Sequence, residues 1–512
     1  MEQNNFEKRN LILAIVVSAA ILFAADTIFP RKNVPVTTPR KTAVTAPQAP
    51  AQNSPVSLNA ENVIAAKAAS EAYAPQQILT REEAVDKFAH VPLKTPSLSG
   101  SIRLKGARLD NLSLTKYRET LAKDSPNIVL FAPVETAFPY FAEFGWVTSE
   151  PGISLPGAET VWQTDDKELT DKKQITLTWD NGEGLKFFRQ ISVDENYMFK
   201  VADRVENYGK KPVTLFNYGL VGRTNVPPVQ RGAVHEGMVG YLGGSLKEMN
   251  YEKIAKEGQA TFKTTGGWTG ITDKYWMAVL AFDQQAQNVF VKFSENETPN
   301  GRHYQADYLM PPVVVAPGGA VHTSAHLFAG AKEVKLIDAY EKTLGIERFD
   351  LTIDFGWYYF LTKPFFFILS YFYSLFGNMG LAILFFAFLL RLAMFPIANK
   401  SFENMAKMKK LQPKIEELQE KYADDRMRLS EETMNLYKKE KVNPAAGCLP
   451  LLIQIPVFFS LYKVLYFSLE LRQAPFYGWI QDLSAPDPTS VFTLFGLLNW
   501  PIPAALNIGV WP

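Results

Sequence analysis

The chain has 512 residues, and its 53 lysines and arginines almost cancel its 52 aspartates and glutamates, leaving a formal net charge of +1. That balance excludes the general basic field by which a protein holds DNA, and a single cysteine, Cys448, excludes internal disulfides. The length calls for more than one domain, while a mean hydropathy of -0.08 suits neither a wholly membrane-embedded chain nor a wholly soluble one.

Residues 1–9 (MEQNNFEKR) are polar and end in Lys8-Arg9, and 10–25 (NLILAIVVSAAILFAA) carry no charge. With the apolar run resuming after Asp26 and continuing to Phe29, about 20 residues are available, enough to cross a bilayer. The alternative is a cleaved signal peptide, because Ser18-Ala19-Ala20 is a small-residue cleavage pattern. Residues 30–57 are rich in proline, threonine and alanine without apolar periodicity, the composition of an extended tether.

From about 58 to 345 the texture changes. ITLTW (175–179) alternates apolar and polar residues and runs into the turn signal Asn181-Gly182. NIVLFAP (127–133), PVTLFNYGL (212–220), MAVLAF (277–282), NVFVKF (288–293) and PPVVVA (311–316) are further strand-like runs. Many short strands separated by turn residues predict an antiparallel sandwich of nearly 300 residues.

GWYYFLTKPFFFILSYFYSLFGN (356–378) is strongly aromatic and is interrupted by Lys363-Pro364, a composition that suits the membrane interface. Apolar spans follow from about Asn378 to Pro396 and over 445–469, where Lys463 is expected to snorkel to the outer headgroups. Between them, 400–443 carries eleven lysines and arginines in one short loop, which makes the loop cytoplasmic. With three spans the N-terminal tail is then also inside and the sandwich outside. Within the loop Phe402, Met405, Met408, Ile415, Leu418 and Tyr422 form an apolar helical stripe. A second helix carries Glu431 and Glu432 early and Lys438, Lys439 and Lys441 late, in keeping with the helix dipole, and Asn443-Pro444 stops it. The two predict an antiparallel hairpin in the cytosol, either a solvated connector or a docking platform.

Arg391 stands in the span LAILFFAFLLRLAMFPIANK (381–400), where a guanidinium costs roughly 2.5 to 3.5 kcal/mol. It lies about 12 Å from the cytoplasmic end of the helix. Either it snorkels to the inner headgroups or it faces a wet cavity open to the cytosol, and Gln454 in LLIQIPVFF is a polar companion for the second arrangement.

FGNMGLAILFFAFLLRLAMFP, KMKKLQPKIEELQEKY, LYKKEKVNPAAGCLPLLIQIPVFFSLY and SLELRQAPFYGWIQDLSAPDP together resemble the YidC membrane protein insertase family, densely over about 350–490. Over 30–345 the likeness is one of layout. The order of parts is that of the Gram-negative form. The resemblance implies a multi-domain membrane protein with an α-helical transmembrane core, a cytoplasmic helical hairpin and an all-β antiparallel sandwich in the periplasm. In these terms 1–9 is a cytoplasmic tail, 10–29 an anchor, 30–57 a disordered linker and 58–345 the periplasmic sandwich. Residues 346–377 form an interfacial amphipathic helix, 378–398 the span with Arg391, 399–443 the hairpin, 444–469 a third span and 470–512 a periplasmic loop.

The resemblance further implies an inner-membrane insertase and chaperone, acting alone or beside the Sec translocon. Its substrate groove is hydrophilic, holds Arg391 and Gln454, and opens to the cytoplasm and to lipid. Nascent membrane proteins, the translocon with its accessory subunits and the lipid bilayer are the implied partners, with the ribosome a candidate at the hairpin lysines Lys407, Lys409, Lys410 and Lys414. No DNA, no cofactor, no metal and no enzymatic step are expected, and the chain has no G-x-x-x-x-G-K-[ST] phosphate loop. Two departures stand out. Ala387 lies one turn before the arginine, where some relatives carry a hydroxyl residue. The chain also ends at NIGVWP (507–512), where a further span is expected to begin and two are expected in all, which reads as truncation.

The rival functions are a scaffold beside the translocon that does not insert, and a membrane-anchored periplasmic carbohydrate-binding protein. A metal enzyme would have to draw on His322 and His326, or on His235 beside Glu236. On a strand, positions four apart lie about 13 Å from each other, too far to share an ion. Cys448 reads as a packing residue, and Arg472, just outside the membrane, takes no functional role.

Overall fold

The computed structural model describes residues 78–226, 234–423, 425–440, 442–443, 447–478 and 480–485. The expected tail, anchor and linker over 1–57 lie outside the described residues, as does the 470–512 loop beyond 485.

Strict alternation sets the strands. Leu185–Val193 buries every second side chain, and it pairs antiparallel with Ile175–Asp180 across the Asn181-Gly182 turn, where Gly182 takes a positive φ of 70°. Every strand-like run of the sequence falls on a strand. One sheet has the order His90–Lys94, Leu98–Arg103, Arg108–Arg118, Tyr140–Val147, Val213–Thr224, Gly301–Leu309, Val289–Thr298, Gln259–Thr264, and Asn127–Phe131 and Val313–Val315 attach beside this path. The other runs Ser245–Asn250, Gly237–Leu242, Trp268–Thr272, Trp276–Ala281, Ala320–Ala331, Met198–Asn207, Leu185–Val193, Ile175–Asp180. Neighbours along both orders pair antiparallel.

Apolar side chains from both sheets share one core. A buried ion pair ties the layers: Arg189 donates to Asp203 at 2.7 and 2.8 Å within the second sheet, and Trp146 Nε1 reaches the same carboxylate from the first at 3.1 Å. Removing one partner of such a pair costs about 3–5 kcal/mol, because the other charge is left in a dry interior. His322 and His326 sit opposite Arg204 and Lys200 on a strand, the setting in which positions four apart point the same way but stand far apart.

The short helices α1 (Arg81–Asp86) and α2 (Tyr251–Glu257) decorate the sheets. α3 (Val334–Leu344) follows the last strand, and a 3-10 turn at Phe349–Thr352 leads to α4 (Tyr359–Phe376), which passes through Pro364 without a break. α5 (Met379–Lys421), α6 (Arg426–Lys439) and α7 (Leu449–Phe467) complete the described helices. The expected break between span and hairpin is absent. α5 is one helix of 43 residues through Pro396 and Pro413, about 65 Å long. Phe402 and Met405 are exposed rather than part of the hairpin seam. The less exposed apolar residues of the hairpin are instead Leu411, Ile415 and Leu418 of α5, Tyr422 just beyond it, and Leu429, Leu436 and Tyr437 of α6, and Lys414 bonds Glu440 at 2.8 Å.

His303 is 2% exposed and shares a 2.9 Å hydrogen bond between Nδ1 and Thr224 Oγ1. Burial lowers its pKa to about 4, opposed by Gln305 and aided by the charge of Arg108. An unfolded chain takes up this proton near 6.5, so the folded sandwich loses stability as pH falls from there towards 4. The expected loss is about 3 kcal/mol, and His303→Gln should flatten the slope in denaturant titrations run at stepwise pH.

Candidate functional site

The aromatic segment places its rings on two partners. On one side of α4, Phe365 meets Phe386 of α5 at 5.0 Å between centroids, and Phe372 meets Phe385 at 4.9 Å, both edge to face. On the other, Phe366 stacks on Phe467 of α7 at 5.9 Å. α4 thus fills the space between the outer halves of α5 and α7. Gly380, at the start of α5, admits the ring of Phe476. A Cβ there would stand 2.2 Å from that ring.

Further along, Leu392 and Phe395 of α5 and Leu449, Leu451, Leu452 and Ile453 of α7 are exposed. The helices meet where Ser401 Oγ donates to the Gly447 carbonyl at 3.2 Å. Between the ring cluster and this hydrogen bond both helices thus present an open stretch of exposed side chains. Arg391 lies ten residues before Ser401, about 15 Å up from that bond, and Gln454 lies seven residues after Gly447, about 10 Å up. The two predicted site residues thus lie about 5 Å apart in depth, close to one helical turn, and both fall between these two contacts. Both are exposed, and Arg391 makes no hydrogen bond or ion pair among the described residues. Gln454 continues the stripe of Val457, Leu461 and Val464 that packs α7 into the core further out. Ser460, at the outer edge of the opening, is buried with no partner for its Oγ among the described residues.

Where the helices meet the sandwich, charges cluster in a way the sequence analysis missed. Lys463 does not snorkel to headgroups. Its Nζ bonds Asp354 Oδ2 at 2.7 Å, with side-chain exposures of 14% and 20%. Lys363 of α4 bonds Asp338 of α3 at 3.0 Å and Asp350 at 3.1 Å, and Tyr359 donates to the same Asp350. Burial pushes Asp354 up, but the adjacent Lys463, the His235 backbone N–H and Lys332 together hold its carboxyl below the usual range. Arg472 also has a structural task. Its guanidinium donates to the Arg118 carbonyl at 2.5 Å and lies 5.4 Å from the Trp276 ring. The only hint in the sequence was a run of acids, Asp338, Asp350 and Asp354, just ahead of the aromatic segment. The hairpin lysines Lys407, Lys409 and Lys410 are exposed and stand apart from the opening, as does Lys414.

A large antiparallel sandwich joined to helices long and apolar enough to cross a membrane defines a class of membrane-anchored proteins with a substantial domain on one side. Comparison with known families makes this specific. The model described as the YidC periplasmic domain matches residues 90–368, and that of the 60Kd inner membrane protein matches 371–507. The membrane protein insertase YidC of Beijerinckia indica is 53% identical over 86% of this chain and 74% of its own length. That of Bradyrhizobium diazoefficiens is 45% identical over 99% of this chain and 86% of its own. A galactose mutarotase related enzyme from Lactobacillus acidophilus overlays 47% of this chain and 97% of its own with a TM-score of 0.34 and 10% identity, too slight a likeness to bear on activity. The chain belongs to the YidC family of membrane protein insertases. Its work is to insert membrane proteins, its substrates are nascent membrane proteins, and its setting is a lipid bilayer; it is not an enzyme.

Phe366→Ala should lower the stability of the helical part by about 3 kcal/mol, as a large ring leaves a cavity against Phe467. Thermal unfolding in detergent should show this as a downward shift of the helical transition, with the sandwich transition unmoved.

Proposed function

We propose that the opening between α5 and α7 is the substrate groove of the insertase, with Arg391 and Gln454 as its polar wall. The observation that carries this reading is that both polar side chains are exposed and lie within about one helical turn of each other in depth, between a ring-packed end and a hydrogen-bonded end. In this layout 10–29 is an N-terminal anchor, α4 lies at the periplasmic interface, and α5 and α7 cross the inner membrane, with the α5–α6 hairpin in the cytoplasm. The eleven basic residues of 400–443 support that orientation. Exposed Trp357, Phe360 and Tyr371 support an interfacial α4.

The mechanism follows from electrostatics and partitioning. An unpaired guanidinium in a partly dry site attracts an acidic tail by about 4 kcal/mol at close approach, far more than in bulk water. A wet half-channel shortens the hydrocarbon path that the tail must cross. The substrate's apolar segment then enters lipid, and burial of that surface drives the net process without a nucleotide or a covalent step. The exposed lysines Lys407, Lys409, Lys410 and Lys414 suit contact with the ribosome, and the sandwich and loop surfaces suit contact with the Sec translocon.

The test is insertion of a short single-span substrate with an acidic tail into liposomes that contain the protein, read by protease protection against empty liposomes. Arg391→Ala should lower the protected fraction about tenfold, and Arg391→Lys should keep much of it. Equal protection by parent and Arg391→Ala would return Arg391 to a snorkelling charge.

A further inference from the structure

The ion pair at the outer end of α7 is built more carefully than a chance contact. Asp354 sits in the connection from the sandwich to α4. Its Oδ1 accepts the Gly356 N–H at 3.0 Å, and its Oδ2 accepts both the His235 N–H at 2.9 Å and Lys463 Nζ at 2.7 Å. The carboxylate is thus aimed by two backbone donors before the lysine arrives. Gly356 holds a positive φ of 73°, which favours glycine, and a Cβ on it would come within 3.3 Å of the Lys463 stem and crowd it slightly. In the helical turn that follows the lysine, Val464 and Phe467 are buried, and Phe467 carries the ring stack to α4.

We infer that Lys463 and Asp354 are a positioning pair for insertion, with Asp354 fixing the axial register of α7 against the sandwich and α4. Lys463 lies nine residues from Gln454, about 13 Å along the same helix, and fifteen from Cys448, about 22 Å away. A side-chain tether at one end of a stiff helix sets the depth of everything further along it. Apolar packing alone holds α7 laterally but resists axial sliding weakly, because a ring stack and aliphatic contacts can re-form in a shifted register. An ammonium bonded to a carboxylate that two backbone donors already aim loses that contact when the helix slides. The depth of Gln454 relative to Arg391 depends on that contact, so the functional half of this inference rests on the groove reading above.

The chain supplies its own reporter, since Cys448 is its only cysteine and is exposed at the start of α7. The experiment compares the full-length parent with Lys463→Met, Lys463→Arg and the double variant Lys463→Met with Asp354→Asn. Each is reconstituted in liposomes and scored for Cys448 labelling rate with a membrane-impermeant maleimide, for thermal midpoint and for insertion of the acidic-tailed substrate. Lys463→Met should change the labelling rate about threefold or more and lower insertion about tenfold, in keeping with the penalty for misplacing a working group. Lys463→Arg should stay near the parent in both. The double variant strands no carboxylate, so it should recover the thermal midpoint without recovering labelling or insertion. Parental labelling and insertion in the double variant would overturn the inference and leave the pair as a stability element only. A labelling shift in Lys463→Met together with an inert Arg391→Ala would keep the positioning role and remove the groove.

Discussion

The helical part of this protein depends on one packing constraint: the rings of α4 occupy the space between the outer halves of α5 and α7. Phe365 and Phe372 engage one helix and Phe366 the other, so the two long helices cannot close on each other there. Aromatic pairs of this kind add directional preference to a large buried area, which fixes the separation as well as the stability. The stretch of exposed side chains on both helices lies further in, and Ser401 with Gly447 marks its far end.

Charge then joins the helices to the sandwich. Lysines from α4 and α7 reach acids in the connection between the last strand and the helices, Asp338, Asp350 and Asp354. Each lysine has a long apolar stem in ring-lined surroundings and an ammonium in a polar seam, an arrangement suited to a boundary where hydrocarbon gives way to water. The same seam gathers His235 from the sandwich and, through Arg472, the loop that follows α7. The sandwich is therefore tied to two helices from three directions, and an insertion cycle has to work with that attachment in place.

Much of this was legible in the sequence for physical reasons that can be named. The sandwich strands announce themselves because one face of each is buried, and ITLTW and NVFVKF carry that alternation openly. The apolar stretches that become α5 and α7 are equally plain, because a bilayer-length run of hydrocarbon side chains has few other uses. Arg391 and Gln454 stood out as polar residues in such runs, although their relative depth needed the contact at Ser401 to be known. Two features were not legible. A charged, proline-bearing stretch after a span reads as a new element, whereas α5 continues because helical backbone bonds resume on either side of Pro396 and Pro413. The fate of Lys463 depended on an acid 109 residues away in sequence, and no local pattern can report such a partner.

The continuity of α5 also has a mechanical meaning. A single rod about 65 Å long carries Arg391 in one part and the paired hairpin in another, so it behaves as a lever whose fulcrum is the ring cluster at its outer end. A tilt of about 5° about that fulcrum moves the far tip by about 5 Å while scarcely displacing Phe386. Anything that grips the tip therefore has leverage on the width of the opening, and Pro396, which lacks a backbone donor and is the natural place for the rod to flex, sets how much of that stroke is transmitted.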